Sequence, residues 1–334
     1  MDIDYHFSTV YVLARWAGFG SENANIIATS SEFVDDNISD DPKLWSTASK
    51  TTIDGVIRYS GHDLWENLFN EDGNEQVWVP YHFLPALQGE TEEEKLICHK
   101  DSDTAHELRQ RMEALDTSNP NYVFALGIDA HILADTWAHQ EFAGVTSLAN
   151  IVKDLVVEIM DSLGKSKWQS LEEAEDMLKS LAMDMAAPLG HAGAIHWPDR
   201  PYAKWKSNMK FPEGRDNTVE FMEASEALYA IFAKLQGKAG EDLQLDSMQK
   251  QMLLAAFTEI TSDDPIERNA EWLRRISVNE FGFDDYNEAD EHIQYNMYYL
   301  SADPDFSKAF YQALDDHYNW IKGKLEGVNV YRLQ

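Results

Sequence analysis

The chain has 334 residues, of which 44% are hydrophobic and 12% aromatic, and it carries a formal net charge of -32 at pH 7. This composition excludes a disordered chain, and the negative charge disfavours nucleic acids and anionic membranes as partners. The single cysteine, Cys98, excludes an intrachain disulfide and a cysteine-based zinc site, so a bound metal would need histidine and carboxylate ligands.

The N-terminal segment, MDIDYHFSTVYVLARWAGFG, carries acidic residues where a secretory signal would carry lysines, and Arg15 interrupts its apolar run. No signal peptide is therefore expected, and no apolar stretch approaches the about 18 residues of a transmembrane helix. We expect a cytoplasmic protein without a transmembrane segment, with export by a route that needs no N-terminal signal as the alternative.

The hydrophobic period of helices extends over most of the chain. Helices are expected at 22–36 after an N-cap at Ser21, at 102–116, and from Asn119-Pro120 through the segment 125–144. Further helices are expected at about 147–163, 170–187, 217–236, 244–261, 265–280 and 304–324. These segments make about nine or ten helices and predict an all-α chain.

Two stretches depart from the helical period. Residues 45–85 contain β-branched and aromatic residues on both sides of the turn-rich NEDGNE, which predicts a small β-hairpin or an irregular insertion near 50–85. Residues 188–205 combine prolines with small residues and cannot form one regular helix. Because there is neither a low-complexity linker nor an internal repeat, we expect a single large multi-helix domain in which 206–334 adds helices to 1–205.

The segment ALGIDAHILADTWAHQEFAG at 125–144 places His131, Asp135 and His139 four residues apart. Four residues advance a helix by about 400°, so these side chains share one stripe of it. The same face is apolar, and an acid and two histidines buried there are costly unless they are paired or bound to a metal. One HxxxD by itself is better explained by a hydrogen-bonded pair between His131 and Asp135.

Further histidines and aspartates elsewhere in the chain favour the metal site. They also lie among apolar or small neighbours, at His6, Asp35, Asp36, His82, His191 and His196. So many separate polar residues in such surroundings are difficult to explain as individually satisfied core residues. Together with the HxxxD helix they predict a polynuclear metal site.

The chain contains an N-terminal DxHF, a VDD, a PYHF and a central HxxxDxxxH followed by GHA. With these motifs it resembles the α-helical zinc-dependent phospholipase C and P1 nuclease superfamily, and most closely a bacterial branch without an assigned function. The resemblance covers roughly residues 1–205. It implies a fold of that type, with a metal-binding helical core at 1–205 and a cluster of two or three divalent ions, zinc in the known enzymes.

By this resemblance, His131 would bind one zinc ion and Asp135 would bridge two. His82 would complete the first of these sites. His6, together with Asp35 or Asp36, would hold the ion near the N-terminus.

The remaining ion would be served by His139 and His191, with His196 or Asp199 as a further candidate ligand. His139 lies closer to Asp135 than the corresponding histidine does in the secreted enzymes. It could therefore hydrogen-bond a metal ligand instead of binding the metal.

The N-terminus departs from the secreted members of the superfamily, whose mature chain begins with a tryptophan that uses its amine as a zinc ligand. This sequence begins with a methionine, so that ligand is not expected as such. Asp4, or less favourably Asp2, precedes His6 and could replace the amine with a carboxylate, which would also tolerate a harder metal than zinc.

A cluster of divalent ions binds phosphoester oxygens and generates hydroxide from water near neutral pH. The expected function is therefore that of a metal-dependent, phospholipase C-like phosphoester hydrolase, in which Asp35 or Asp36 orients or deprotonates the attacking water. Phospholipid head groups or small phosphoesters are favoured over nucleic acid as substrates. Two alternatives are a non-catalytic helical protein with a structural metal or a His–Asp core, and a delivered antibacterial phospholipase toxin.

Overall fold

A computed structural model of the chain describes residues 1–38, 59–61, 71–160, 165–170 and 189–328. Within these ranges the protein is mostly helical, with a small antiparallel sheet. The longer described helices are α1 Val10–Ala17, α2 Ser21–Asp36, α3 Glu71–Tyr81, α4 Asp103–Glu113, α5 Tyr122–Ala138, α6 Asn217–Leu235, α7 Ser247–Glu259, α8 Pro265–Ser277 and α9 Pro304–Lys324. None of the helices in the described ranges is long and apolar enough to span a membrane.

Most helices that the sequence predicts are confirmed, and several begin at a capping residue visible in the sequence. The Ser102 side chain accepts a hydrogen bond from the backbone amide of Ala105 at the start of α4. Aspartates do the same in front of α6, α7, α8 and α9. The irregular stretch is confirmed from residue 189 onward, where short 3₁₀ turns at Ala192–Ala194 and Trp197–Asp199 precede a strand.

Two predicted elements are wrong. The segment Val156–Met160, expected within a helix at 147–163, is strand β1, because the β-branched residues of VVEIM pack better on a sheet. The second strand of the expected hairpin near 50–85 is helix α3 instead, and its buried Trp78 and Val79 pack against the core. Tertiary packing decided the conformation of these short apolar runs, which suit either structure. Residues 50–58 and 62–70 of the predicted insertion and nearly all of the 170–187 helix lie outside the described residues.

The sheet has the order β2-β1-β3-β4, with all neighbours antiparallel. Its other strands are β2 Ser166–Ser170, β3 Lys204–Lys206 and β4 Arg215–Asp216. Trp205 of β3 is fully buried in a small second core that also contains Trp78 and Phe83. Through this second core the sheet supports the loop that leads into β3.

Helix α5 lies at the centre of the molecule and packs against α2, α4, α6 and α9. Almost every residue from Val123 to Ala138 is buried. Its closest neighbour is α2, because a Cβ atom on Gly127 would lie 2.3 Å from the Ile27 carbonyl oxygen and 2.7 Å from the Ser30 Cβ. The two helices that carry the HxxxD and VDD motifs are therefore in backbone contact.

Gly127→Ala is expected to destabilise the protein by about 1–3 kcal/mol, the usual cost of overpacking a core. Alanine normally favours a helix over glycine by about 1 kcal/mol, but here the added methyl group meets the α2 backbone, which cannot rotate away. Denaturant unfolding of the variant and the wild type would measure the difference. Gly323→Ala is the control, because a Cβ atom on this α9 glycine meets nothing within 4 Å; equal effects of the two substitutions would contradict the explanation.

The helices of the C-terminal third pack on the N-terminal segment. Residues Asp4–Thr9 form a π-helical segment that continues into α1, and α8 packs against it. The large hydrophobic core includes Phe7 and Leu13 from the N-terminal segment and Phe257 and Trp272 from α7 and α8. The N-terminal and C-terminal parts of the chain therefore share one core.

Candidate metal centre

His6 lies in the π-helical segment and is completely buried. Its Nε2 atom is 3.1 Å from Asp135 Oδ1, and its ring stacks on His131 with 3.8 Å between centroids. The amino group of Met1 is also buried and donates a hydrogen bond of 2.7 Å to the same Oδ1 atom. Single π-helical turns are often found at functional sites, and this one presents His6 to the central helix α5.

Asp135 is the residue around which the histidines gather. Its Oδ2 atom lies 3.3 Å from His131 Nε2, 3.5 Å from His82 Nδ1 and 3.6 Å from His139 Nδ1. Burial by itself raises the pKa of Asp135. The neighbouring His139, the Met1 ammonium and the other histidines outweigh burial and hold that pKa well below its ordinary value, so Asp135 is an anion.

The adjacent aspartates at the end of α2 point to different partners. Asp35 Oδ1 lies 3.5 Å from His82 Nδ1 and 3.8 Å from His131 Nε2. Asp36 instead accepts a 2.5 Å hydrogen bond from the Tyr295 hydroxyl. Successive helical residues diverge by about 100°, so only Asp35 reaches the histidines.

His82 follows directly after α3, and its ring is oriented by the backbone. Its Nε2 atom donates to the Ser60 carbonyl oxygen at 2.7 Å, which turns Nδ1 toward Asp35, Asp135 and His131. A histidine whose outer nitrogen donates to a backbone carbonyl is typical of metal sites.

His139, His191 and Asp199 form a neighbouring group. His139 Nε2 and His191 Nε2 lie 3.2 and 3.4 Å from the two carboxylate oxygens of Asp199. The Nδ1 atoms of these histidines donate to the carbonyl oxygens of His82 at 2.7 Å and of Ile195 at 2.8 Å. Ile195 holds this position at a φ of +57°, a strained value for a β-branched residue of the kind that occurs at functional sites.

The hydrogen bonds to carbonyl oxygens determine which ring nitrogen carries the hydrogen in His82, His139 and His191. A carbonyl oxygen only accepts, so the nitrogen facing it is the donor, and in the neutral ring the other nitrogen has a lone pair. These lone pairs face carboxylates or a second histidine: His131 Nε2 and His82 Nδ1 are only 3.2 Å apart. Burial is the largest cause that lowers the pKa of His131 and of His191 to about 4, so both are neutral at pH 7.

Divalent cations among these atoms would satisfy the lone pairs and the carboxylates together. The potential ligand atoms form three groups, and within each group they lie no more than 4.8 Å apart. The groups are His6, Asp35 and His131; His82, His131 and Asp135; and His139, His191 and Asp199. Asp135 Oδ2 is buried and makes no hydrogen bond to the described residues, although three imidazole nitrogens lie close to it. Buried carboxylate oxygens in proteins rarely lack a hydrogen bond. The residues present therefore fit a polynuclear metal site.

A cavity of about 380 Å³ opens beside these groups. Its lining residues in the described part of the chain contain no lysine or arginine but six carboxylates: Asp2, Glu32, Asp35, Asp36, Asp135 and Asp199. Besides three histidines, the Met1 ammonium is the one basic group among these lining residues. The cavity therefore attracts cations, and an anionic phosphoester would enter it only together with cations.

The structure brings together seven residues that the sequence singles out: His6, Asp35, His82, His131, Asp135, His139 and His191. Asp199, named only as a further candidate, joins them, and His196 lines the cavity outside the three groups. Asp36 binds Tyr295 instead. Asp4 is also elsewhere, because its carboxylate accepts hydrogen bonds of 2.9 and 3.2 Å from Arg268.

Sequence reasoning missed two groups at the site. The Met1 amino group reaches Asp135, where Asp4 or Asp2 was expected to replace a terminal amine; the terminal-amine ligand of the secreted enzymes was the signal for it. Glu32 is buried in the cavity wall with Oε2 unpartnered among the described residues, and burial, then Asp35, raise its pKa well above the ordinary value. Its position three residues before Asp35, on the same helical face, was a usable signal.

A second buried His–Asp pair lies away from the cavity. His317 on α9 is completely buried, 2.8 Å from Asp129 Oδ1 and 3.0 Å from the Pro80 carbonyl oxygen. Asp129 also contacts Arg111 at 3.4 Å. Because every polar group of this pair has a partner, it shows how the protein buries a histidine and an aspartate without offering ligands to a metal.

Comparison with known proteins gives a family but no activity. The model of DUF6765, a family of unknown function, matches residues 1–325, so the chain belongs to that family. No curated protein and no solved structure matches the chain.

Proposed function

We propose that this member of the DUF6765 family is a metal-dependent phosphoester hydrolase of the phospholipase C type, with two or three zinc-like divalent ions. The observation that carries the proposal is the convergence of three His and Asp groups around Asp135, beside a cavity large enough for a small phosphoester. The resemblance of the sequence motifs to those of the phospholipase C and P1 nuclease superfamily supports the reaction type.

The three groups together would hold the ions; His131 belongs to two of them, and because a neutral imidazole offers one lone pair it would bind only one ion. Asp135 would be a ligand at the centre of the site, since Met1 and His6 contact one of its oxygens while His82 and His131 face the other. Divalent ions bound there would bind the phosphoester oxygens and supply hydroxide from water near neutral pH.

The side chains around the cavity have three tasks. Asp35 lines the cavity beside two ligand histidines, where it can accept a proton from the attacking water. Burial is the largest cause that raises the pKa of Asp35 well above its ordinary value, and a cation bound beside it would oppose that shift. Asp36 is held by Tyr295 and shapes the wall. Trp78 and Ile266 supply apolar surface for the organic part of the substrate.

The electrostatics of the cavity favour small or lipid-derived phosphoesters over nucleic acid. Six carboxylates line it, and the whole chain has 59 acidic residues against 27 lysines and arginines. The acidic protein surface would repel the part of a nucleic acid that extends beyond the cavity. Binding an extended phosphate backbone normally requires several contacts with basic side chains. The negative charge of a single phosphoester would be neutralised by the bound metal ions alone.

Metal analysis and a substrate panel test the proposal. Protein purified without chelator is expected to contain two or three equivalents of zinc or a similar ion. It should hydrolyse a bis-aryl phosphate or phosphatidylcholine faster than single-stranded DNA. A content of less than one equivalent of metal, with no increase when zinc is added, would contradict the proposed metal site. A full complement of ions without hydrolysis of any phosphoester would instead favour a structural role for the metal.

A further inference from the structure

The N-terminal segment is held from outside by helix α8. Arg268 of α8 is completely buried, and its guanidinium binds two carboxylates of the N-terminal segment. Nε and one terminal nitrogen contact the carboxylate of Asp4 at 2.9 and 3.2 Å, and the same terminal nitrogen contacts Asp2. The other terminal nitrogen donates to the Ser262 carbonyl oxygen at 2.8 Å, so the guanidinium is fixed to its own loop.

The two carboxylates bound by Arg268 lie next to potential metal ligands in the chain. Asp2 follows Met1, whose amino group contacts Asp135, and Asp4 is two residues before His6 in the same π-helical segment. A second contact comes from the adjacent Asn269, whose side-chain oxygen accepts a 2.7 Å hydrogen bond from Ser8. Helix α8 therefore holds the N-terminal segment on both sides of His6.

We propose that Arg268 is a positioning residue of the metal centre, which fixes the N-terminal segment so that His6 reaches Asp135. The inference rests on the proposed metal site and goes beyond it. It assigns a role to the C-terminal third, which contributes no residue to the three ligand groups. A metal site tolerates displacements of only about 0.5 Å in its ligands, so a segment of one π-helical turn needs fixed external contacts to keep His6 in place.

Another buried arginine of the chain provides the matched control. Arg15 of α1 is also buried and also binds two carboxylates of a distant segment, Asp285 and Asp290, each with a contact of 2.7 Å. It connects the N-terminal helix to the C-terminal third as Arg268 does, but none of these three residues lines the cavity. Removing Arg15 therefore breaks a comparable ion-pair network without releasing His6.

The test compares Arg268→Met with Arg15→Met in the full-length, metal-loaded protein. We measure bound zinc, zinc affinity by competition with a chelator, the visible spectrum of the Co²⁺-substituted protein, and Tm. Arg268→Met is expected to lose one ion or to bind it about 10- to 100-fold more weakly, the usual effect of removing an outer support, and to change the Co²⁺ spectrum. Arg15→Met is expected to lower Tm while keeping all ions and the wild-type spectrum. Arg268→Lys, which keeps one ion pair, should restore part of the affinity.

The proposal is overturned if Arg268→Met keeps the wild-type metal content and spectrum, or if both variants lose metal in proportion to their loss of Tm. Should Arg268→Met not fold, Asp4→Asn replaces it, because this substitution keeps the side-chain shape, weakens two contacts of Arg268 and changes no residue of the cavity lining. Unchanged zinc affinity in Asp4→Asn would then also count against the proposal. A wild type that binds no metal would overturn the proposed function itself, a result that the variants are not needed to detect.

Discussion

Asp135→Asn is expected to remove at least one bound ion and to lower phosphoester hydrolysis by about 10³-fold or more. The substitution keeps the shape of the side chain but removes the charge that the Met1 ammonium, His6, His82 and His131 surround. Metal ions contribute several kcal/mol to stabilising the transition state of such reactions, which corresponds to roughly three orders of magnitude in rate. Metal content and the initial rate with a bis-aryl phosphate measure the two effects.

Asp129→Asn is the matched control, because it makes the same change on the same helix. Asp129 is equally buried, but it binds His317 and Arg111 instead of lining the cavity. The control variant is expected to lose stability, since breaking a buried ion pair costs about 3–5 kcal/mol, while its metal content and its rate per folded molecule remain those of the wild type. An equal loss of activity in both variants would mean that the Asp135 effect is general unfolding and not metal chemistry.

Removal of the metal is expected to lower Tm by about 10 °C or more. A ligand present at about 1,000 times its Kd stabilises the folded state by about 4 kcal/mol per site, so two sites contribute about 8 kcal/mol, and each kcal/mol raises Tm by roughly 2 °C in a chain of this size. Without cations, buried lone pairs and carboxylates face one another at the site. Scanning calorimetry of chelator-treated and zinc-supplemented protein measures the shift.

Two controls make this result specific. Chelator-treated Asp135→Asn supplemented with zinc should regain little of the shift, whereas Asp129→Asn should regain most of it. Supplementing with Mg²⁺ is expected to be less effective than zinc, because most of the potential ligands are imidazoles, which a hard cation binds weakly. Identical Tm values for the chelated and the supplemented wild type would contradict a metal centre of any role.

Helices with a clear period and a capping residue could be predicted from the sequence alone. The C-terminal helices α6 to α9 each begin after an aspartate that caps the helix. Capping involves only neighbouring residues, so it can be recognised from the sequence. Short apolar runs could not be assigned in this way. Val156–Met160 became a strand because β3 lies beside it, and Glu71–Tyr81 became a helix because Trp78 and Val79 pack into different cores. Partners distant in sequence decided both.

At the candidate site, the sequence by itself determined the residue types: HxxxD on one helical stripe and further histidines among apolar neighbours. Only the tertiary structure decided which of them meet. It brings Asp35 but not Asp36 to the histidines, pairs Asp4 with Arg268, and adds Asp199 and the amino group of Met1. Spacing along a helix determines local neighbours, whereas these choices depend on how α2, α5, α8 and the N-terminal segment pack, to which the whole chain contributes.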